Sequence, residues 1–310
     1  MSSGYRLVSY RVANGDAQAG MLVGDLVYPV APLLTDIPNA SSVMGVLKAW
    51  GTAHPRLAAA AEKASGGMPL KDIALLAPVL YPGALYCAGA NYWDHLEEMA
   101  EIAKRVTGKA PSMQKAADPY FFMKNTAGAI IGTNTPARLP SFSKQVDWEA
   151  ELGVVIGKQC RRVSEADAFG VVAGYLIVND LSARDLMKRE GSPFGMDWVG
   201  QKCFEDGAPM GPWFTPAAYV ADPNNLAVKL WVNGALKQNS NTSRLVHGIA
   251  EQIAYLSKHF TLFPGDIIAT GTPAGVGMPR GEFLKIGDEV KIEIDGCGIL
   301  VNRMVADDAS

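Results

Sequence analysis

Along this 310-residue chain, apolar positions recur mostly with the period of two that marks extended backbone, and helical spacing is confined to a few stretches. Residues 5–12 read as a strand ended by the turn Asn14-Gly15-Asp16, and residues 20–30 as two strands split at Gly24-Asp25. Helical patches follow at 41–50 and 57–64, the second ended by Gly66-Gly67. From about residue 85 the chain is dense in short β-branched runs punctuated by Gly, Pro and Asn: 152–156, 171–178, 228–232, 266–270 and 290–294. Asn233-Gly234 and Asp295-Gly296 each follow such a run, which is a strong short-range hairpin signal. Further helices are expected at 93–106, 164–169 and 246–259. The pattern predicts an α+β, mainly β protein with a soft boundary near residue 80, giving a small domain over 1–80 and a larger one over 81–310.

Composition narrows the class. Hydrophobic residues make up 48% and charged residues 19%, a globular balance. A net charge of -3 gives no electrostatic case for nucleic acid or an anionic membrane, so an acidic substrate must be met by local positive charge. Cys87, Cys160, Cys203 and Cys297 form no C-x-x-C pair, which points to reduced thiols and a cytoplasmic protein. The first residues alternate polar and apolar rather than forming a signal-peptide core, and residues 170–178 fall far short of the ~20 needed to span a bilayer. A soluble protein without membrane partners is expected.

The stretch Asp147-Trp148-Glu149-Ala150-Glu151-Leu152 carries the sharpest chemical signal. In an extended strand Asp147, Glu149 and Glu151 share one face, and the run 153–156 that follows is apolar, so the acids sit at the rim of a core. Like charges at such spacing repel, and a hard divalent cation held by oxygen ligands relieves that repulsion. A solvated strand edge is the alternative. Asp180 closes the apolar run 171–178 and could complete a carboxylate cluster, or could cap a helix starting at Ser182.

On the segment 91–106, Asn91 or Asp94 could cap the helix, while His95 and Glu98 lie three apart on one face. A carboxylate beside an imidazole fixes its tautomer and makes it a better base; an ordinary surface pair is the other reading. His54, in a polar turn before Pro55, and His247 and His259 read as structural. Lys124 and Lys202 stand in apolar surroundings, where each needs a carboxylate or a ligand as partner. Arg184 could pair with Asp185 or Glu151, or touch a substrate. The loop 270–277 lacks the G-K-[ST] of a phosphate loop and no helix follows it.

The succession D-x-E-x-E-L-x-x-V-I-G-K (147–158), N-D-x-S-A-R-D (179–185), K-x-F with G-P (Lys202, Phe204, Gly211-Pro212) and T-G-T-P-x-G-V-G (270–277) resembles the fumarylacetoacetate hydrolase family over roughly 85–305. The resemblance implies a rolled, mixed β-sheet catalytic domain behind a small N-terminal α/β domain, and a homodimer. It implies Mg²⁺ or Mn²⁺, sometimes Ca²⁺, on Glu149, Glu151 and Asp180, and a catalytic His95–Glu98 dyad on a lid, as in the acylpyruvate-hydrolysing branch. Lys202 corresponds to the family's active-site lysine, Lys124 to a pocket lysine, and Gly271 with Thr272 to a substrate contact. Met187 stands where many relatives carry a substrate-binding glutamine, so an apolar substrate end is expected there. The implied reaction is hydrolytic C–C cleavage of a 2,4-diketo acid to pyruvate and a carboxylic acid. Decarboxylation, isomerisation or hydration of 2-oxo acids, and keto-acid binding without turnover, are the alternatives.

Overall fold

In the computed structural model, residues 4–109, 113–191, 193 and 195–307 are described. The chain opens with the meander β1 (Arg6–Arg11), β2 (Gln18–Val23) and β3 (Leu26–Pro29), then α1 (Val43–Lys48) and α2 (Trp50–Ala61). Two short strands follow, β4 (Met68–Pro69) and β5 (Ala74–Leu75), then β6 (Leu85–Gly89), α3 (Trp93–Thr107) and β7 (Tyr120–Lys124). The middle of the chain holds β8 (Ile130–Ile131), β9 (Ala137–Leu139), β10 (Val146–Asp147), β11 (Ala150–Ile156), β12 (Val172–Asn179) and β13 (Ser182–Ala183). The remainder is α4 (Trp198–Lys202), β14 (Ala208–Pro216), β15 (Ala227–Val232), β16 (Ala235–Asn241), α5 (Ile249–His259), β17 (Ile267–Ala269), β18 (Glu289–Ile294) and β19 (Gly298–Ala306). The mainly β expectation holds. No helix among the described residues is long and apolar enough to cross a membrane.

A 12-stranded mixed sheet runs β4-β3-β2-β1-β14-β12-β11-β17-β6-β7, with β5 on β1 and β8 on β14. Its centre is β11 and β12, buried at every position, as a continuous apolar run requires of a strand covered on both faces. A second sheet, β16-β15-β18-β19-β9, packs against it; β15 and β18 alternate half-buried and buried side chains, one face turned to the core. Both expected hairpins form there, Asn233 and Gly234 each taking the positive φ that suits a tight two-residue turn.

Three local expectations are corrected. His54 and Pro55 lie inside α2 rather than in a turn. Ala53, Leu57 and Ala61 bury one face of that helix, and His54 stacks on Trp50 with its Nδ1 2.8 Å from the Tyr5 hydroxyl, which outweighs the backbone bond lost at Pro55. The helix expected at 164–169 is a 3₁₀ stretch, Glu165–Val171, capped by the Ser164 hydroxyl. The last helix begins at Ile249 and not 246, because the Val246 and His247 N–H groups donate to the Asn91 backbone and side chain.

The first strands extend the main sheet through β1 beside β14, where Leu7 pairs with Phe214. Phe214 is fully buried and meets Trp50 edge-on at 5.3 Å, which ties the N-terminal segment to the central strands. Phe214→Ala should cost ~3–5 kcal/mol in denaturant unfolding at an unchanged slope. A loss below ~1 kcal/mol would show that this packing does not hold the segment.

Candidate metal centre

The E-x-E and N-D motifs are clasped together by backbone. The Glu149 N–H donates to Asn179 Oδ1 at 3.1 Å and the Asp180 N–H to the Glu149 carbonyl at 2.9 Å, while β11 and β12 pair Ala150 with Asn179. Glu149, Glu151 and Asp180 thereby bring one carboxylate oxygen each to within 4.8 Å of one another, all three side chains buried. The solvated-edge alternative fails, since Glu151 is 1% exposed. Asp180 caps no helix: Ser182 and Ala183 form β13 against β10.

Two lysines and an arginine face the cluster. Lys202 Nζ donates to Glu149 Oε2 at 3.1 Å and Asp180 Oδ2 at 2.7 Å. Lys124 Nζ donates to Asp180 Oδ1 at 2.7 Å and the Leu181 carbonyl at 2.8 Å. Both ammonium groups lie against aromatic faces, Lys202 over Phe122 and Lys124 over Phe204. Arg184 reaches neither Asp185 nor Glu151. It pairs with Asp147 and Glu149, while Asp185 receives the Ser143 hydroxyl and the Lys144 N–H.

Burial alone would raise Glu149, but Lys202 and Arg184, with a smaller part from His95, hold it below the ordinary glutamate range. Glu151 goes the other way, well above that range, from burial first and then from repulsion by Asp180 and Glu149. Its polar partner among the described residues is the Gly271 N–H, at 2.8 Å, and no lysine or arginine reaches it. A carboxylate so placed takes either a proton or a cation. The donor set is all oxygen, which fits Mg²⁺, Mn²⁺ or Ca²⁺ rather than a thiolate- or imidazole-seeking metal.

Asp147 does not join the cluster. The strand breaks at Trp148 and Glu149, whose indole is held by the Gly275 carbonyl through Trp148 Nε1, and the Asp147 carboxylate accepts the N–H groups of Gly277 and Met278 at 2.6 and 3.0 Å. It thus anchors the glycine loop. That loop also receives α3: Ala274 N–H donates to Asp94 at 3.3 Å and Gly275 N–H to Glu98 Oε2 at 3.1 Å. Asp94 is therefore a loop contact and not a helix cap, and Asn91 straps Thr270 and His247. His95 Nδ1 sits 3.6 Å from Glu98 Oε2, close but beyond a hydrogen bond, and is buried without a hydrogen-bond partner among the described residues. Met187, half-buried, follows the turn 184–186, its carbonyl accepting the Asp197 N–H.

Residues 84–305 match the family model for the fumarylacetoacetate hydrolase C-terminal domain. The chain belongs to the fumarylacetoacetate hydrolase family. It is 39% identical over 240 residues to the human mitochondrial oxaloacetate tautomerase FAHD2B, spanning 77% of this chain and 71% of that protein. The solved maleylpyruvate hydrolase of Sphingobium sp. SYK-6, in complex with manganese(II) and pyruvate, is 29% identical with a TM-score of 0.75, over 97% of this chain and 99% of that one. A 2-hydroxyhepta-2,4-diene-1,7-dioate isomerase from Mycobacterium marinum is 32% identical with a TM-score of 0.72, over 98% and 99%.

In this fumarylacetoacetate hydrolase family member, residue-by-residue reading missed Gln238 and Ser182. Gln238 is fully buried and bridges the E-x-E segment to Thr272, and the Ser182 hydroxyl donates to Glu149 Oε1 at 3.1 Å. The available signal for Gln238 was an amide at an inward position of a strand after the Asn-Gly turn. A groove of about 960 Å³ between β3–β5 and residues 133–136 lies apart from the carboxylates, and its charged residues Arg11, Asp25 and Lys71 are exposed.

Asp180→Asn removes one of three anionic donors, takes from Lys124 its carboxylate partner and leaves Lys202 with Glu149 alone, so Mn²⁺ affinity by calorimetry should fall at least ~100-fold. An unchanged affinity would place the metal elsewhere. Burial would raise Glu98, but the His95 ring, the Gly275 N–H and Arg280 hold it below the ordinary glutamate value of 4.5. A depressed carboxylate contributes stability that is present above that value and lost as pH falls. Glu98→Gln should therefore flatten the acid limb of the melting-temperature profile below about pH 4.5. An unaltered limb would separate Glu98 from the loop contacts.

Proposed function

We propose that this enzyme hydrolyses a C–C bond of a short 2,4-diketo acid, an acylpyruvate, to pyruvate and a carboxylic acid, with one divalent cation on Glu149, Glu151 and Asp180. The observation that carries the reading is that α3 brings buried His95 and half-buried Glu98 onto the same glycine loop whose Gly271 N–H holds Glu151. When bound, the cation supplies a Lewis acid for the 1-carboxylate and 2-oxo oxygens of the substrate.

Lys202 and Lys124 hold Asp180 in place by hydrogen-bonded ion pairs, and Lys202 with Arg184 does the same for Glu149. Two donors of the Lys202 ammonium are occupied there, which leaves one for charge developing on the substrate. His95, turned by Glu98, takes a proton from water. The water oxygen bonds to C4, the C3–C4 bond breaks with its electron pair left on C3 of pyruvate, and a proton at C3 completes the methyl group. Thr272 and Gly271 face the carboxylate end and Met187 the C4 substituent, which favours an apolar tail.

A second reading is keto–enol interconversion of oxaloacetate, favoured by the 39% identity to a tautomerase. It uses the same base for a proton at C3 and needs no attack by water.

A panel of acylpyruvates and oxaloacetate with Mn²⁺, with cleavage products identified by mass and the oxaloacetate enol followed by its ultraviolet absorbance, separates the two. Pyruvate release, graded in favour of apolar C4 groups by ~10–200-fold over carboxylate-bearing ones, is expected. Fast oxaloacetate interconversion with no pyruvate from any acylpyruvate would replace the first reading with the second. His95→Ala should lower kcat by ~10²–10⁴-fold with Mn²⁺ affinity unchanged.

A further inference from the structure

Gln238 lies in β16 with no exposed surface. Its Oε1 accepts the N–H of Ala150, the residue between Glu149 and Glu151, at 3.0 Å. Its Nε2 donates to Thr272 Oγ1 and to the Pro273 carbonyl, both at 2.8 Å. These partners decide the orientation of the amide, because a backbone N–H can only donate and a carbonyl can only accept. Thr272 Oγ1 is therefore an acceptor towards Gln238. A hydroxyl that accepts from an amide directs its own hydrogen elsewhere. Among the described residues no acceptor for that hydrogen is found, although Thr272 is buried and its neighbour Gly271 gives its N–H to Glu151.

We propose that Gln238 is a positioning residue that sets the polarity of the Thr272 hydroxyl, so that Thr272 meets the substrate carboxylate as a hydrogen-bond donor. The inference rests on the function proposed above. Without Gln238 the hydroxyl could turn its hydrogen to the Pro273 carbonyl and present a lone pair to an anionic ligand, which repels. With Gln238 in place that rotation is blocked twice, since Nε2 occupies both Thr272 Oγ1 and the Pro273 carbonyl. The same amide grips the strand that carries the carboxylates, so the anion donor and the carboxylate cluster share one support.

The test is oxalate binding to the Mn²⁺-loaded full chain, measured by calorimetry on Thr272→Val, Gln238→Met and the double variant, with Mn²⁺ affinity measured separately. Loss of one hydrogen bond to a charged group should weaken oxalate by about tenfold in Thr272→Val, and Gln238→Met should lose a similar factor. The double variant should bind within about twofold of Thr272→Val, because both changes remove the same contact. Thr272→Ser, which keeps the hydroxyl, should restore binding to within about threefold of wild type. If Gln238→Met does not fold, Gln238→Asn, whose shorter amide cannot span Ala150 and Thr272 together, carries the same expectation. Additive losses in the double variant, or a Mn²⁺ affinity that falls as far as the oxalate affinity, overturn the inference alone. Oxalate that fails to bind the Mn²⁺-loaded wild type overturns the proposed function and this inference with it.

Discussion

Four carboxylates and three cationic side chains are buried together at the heart of the main sheet, and the arrangement of the molecule around them follows from that charge. Asp147, Glu149, Glu151 and Asp180 are each 6% exposed or less, facing Lys124, Lys202 and Arg184. An unpaired buried charge costs several kcal/mol, so each acid has a partner that a separate element must deliver. Lys124 comes from β7, Lys202 from α4 and Arg184 from the turn after β13. Glu151 alone has a backbone N–H in place of a cation, so these seven groups would carry one more negative charge than positive with Glu151 ionised. That residual charge makes the site a cation trap rather than a closed ion-pair network.

The glycine-rich loop 270–277 is the second organising piece. Its N–H groups are divided among four acids: Gly271 to Glu151, Ala274 and Gly275 to Asp94 and Glu98 on α3, and Gly277 to Asp147. Gly271 has φ +104, and a Cβ there would come 2.8 Å from that of Asn91, so the close approach of loop and helix entry depends on glycine. One loop thus couples the carboxylate cluster to the helix that carries the histidine. The same stretch that resembles a phosphate-binding motif in composition here binds the protein's own carboxylates.

Much of this was legible in the sequence. The β-rich pattern, the two hairpins and the extent of α3 follow from period and turn chemistry, while the joining of Asp180 to Glu149 and Glu151 was one of two readings the residues allowed and the one the family resemblance implied. Same-face alternation failed for Asp147, because the strand kinks at Trp148 and the acid turns to the loop. The start of the helix expected at 246–259 failed for a related reason, since the Val246 and His247 N–H groups find Asn91, far away in sequence, whereas 164–169 tightened to a 3₁₀ stretch closed locally on Ser164.

The sequence by itself determined which residues carry charge and where the chain is extended, because those depend on side-chain chemistry and on spacing along a few residues. Only the tertiary structure decided which charge neutralises which. Arg184 to Asp147, Gln238 between Ala150 and Thr272, and Asn91 between Thr270 and His247 join positions 34 to 179 residues apart. No local pattern encodes such pairs, since a buried polar group is satisfied by whatever partner the packing of distant strands brings within hydrogen-bond reach.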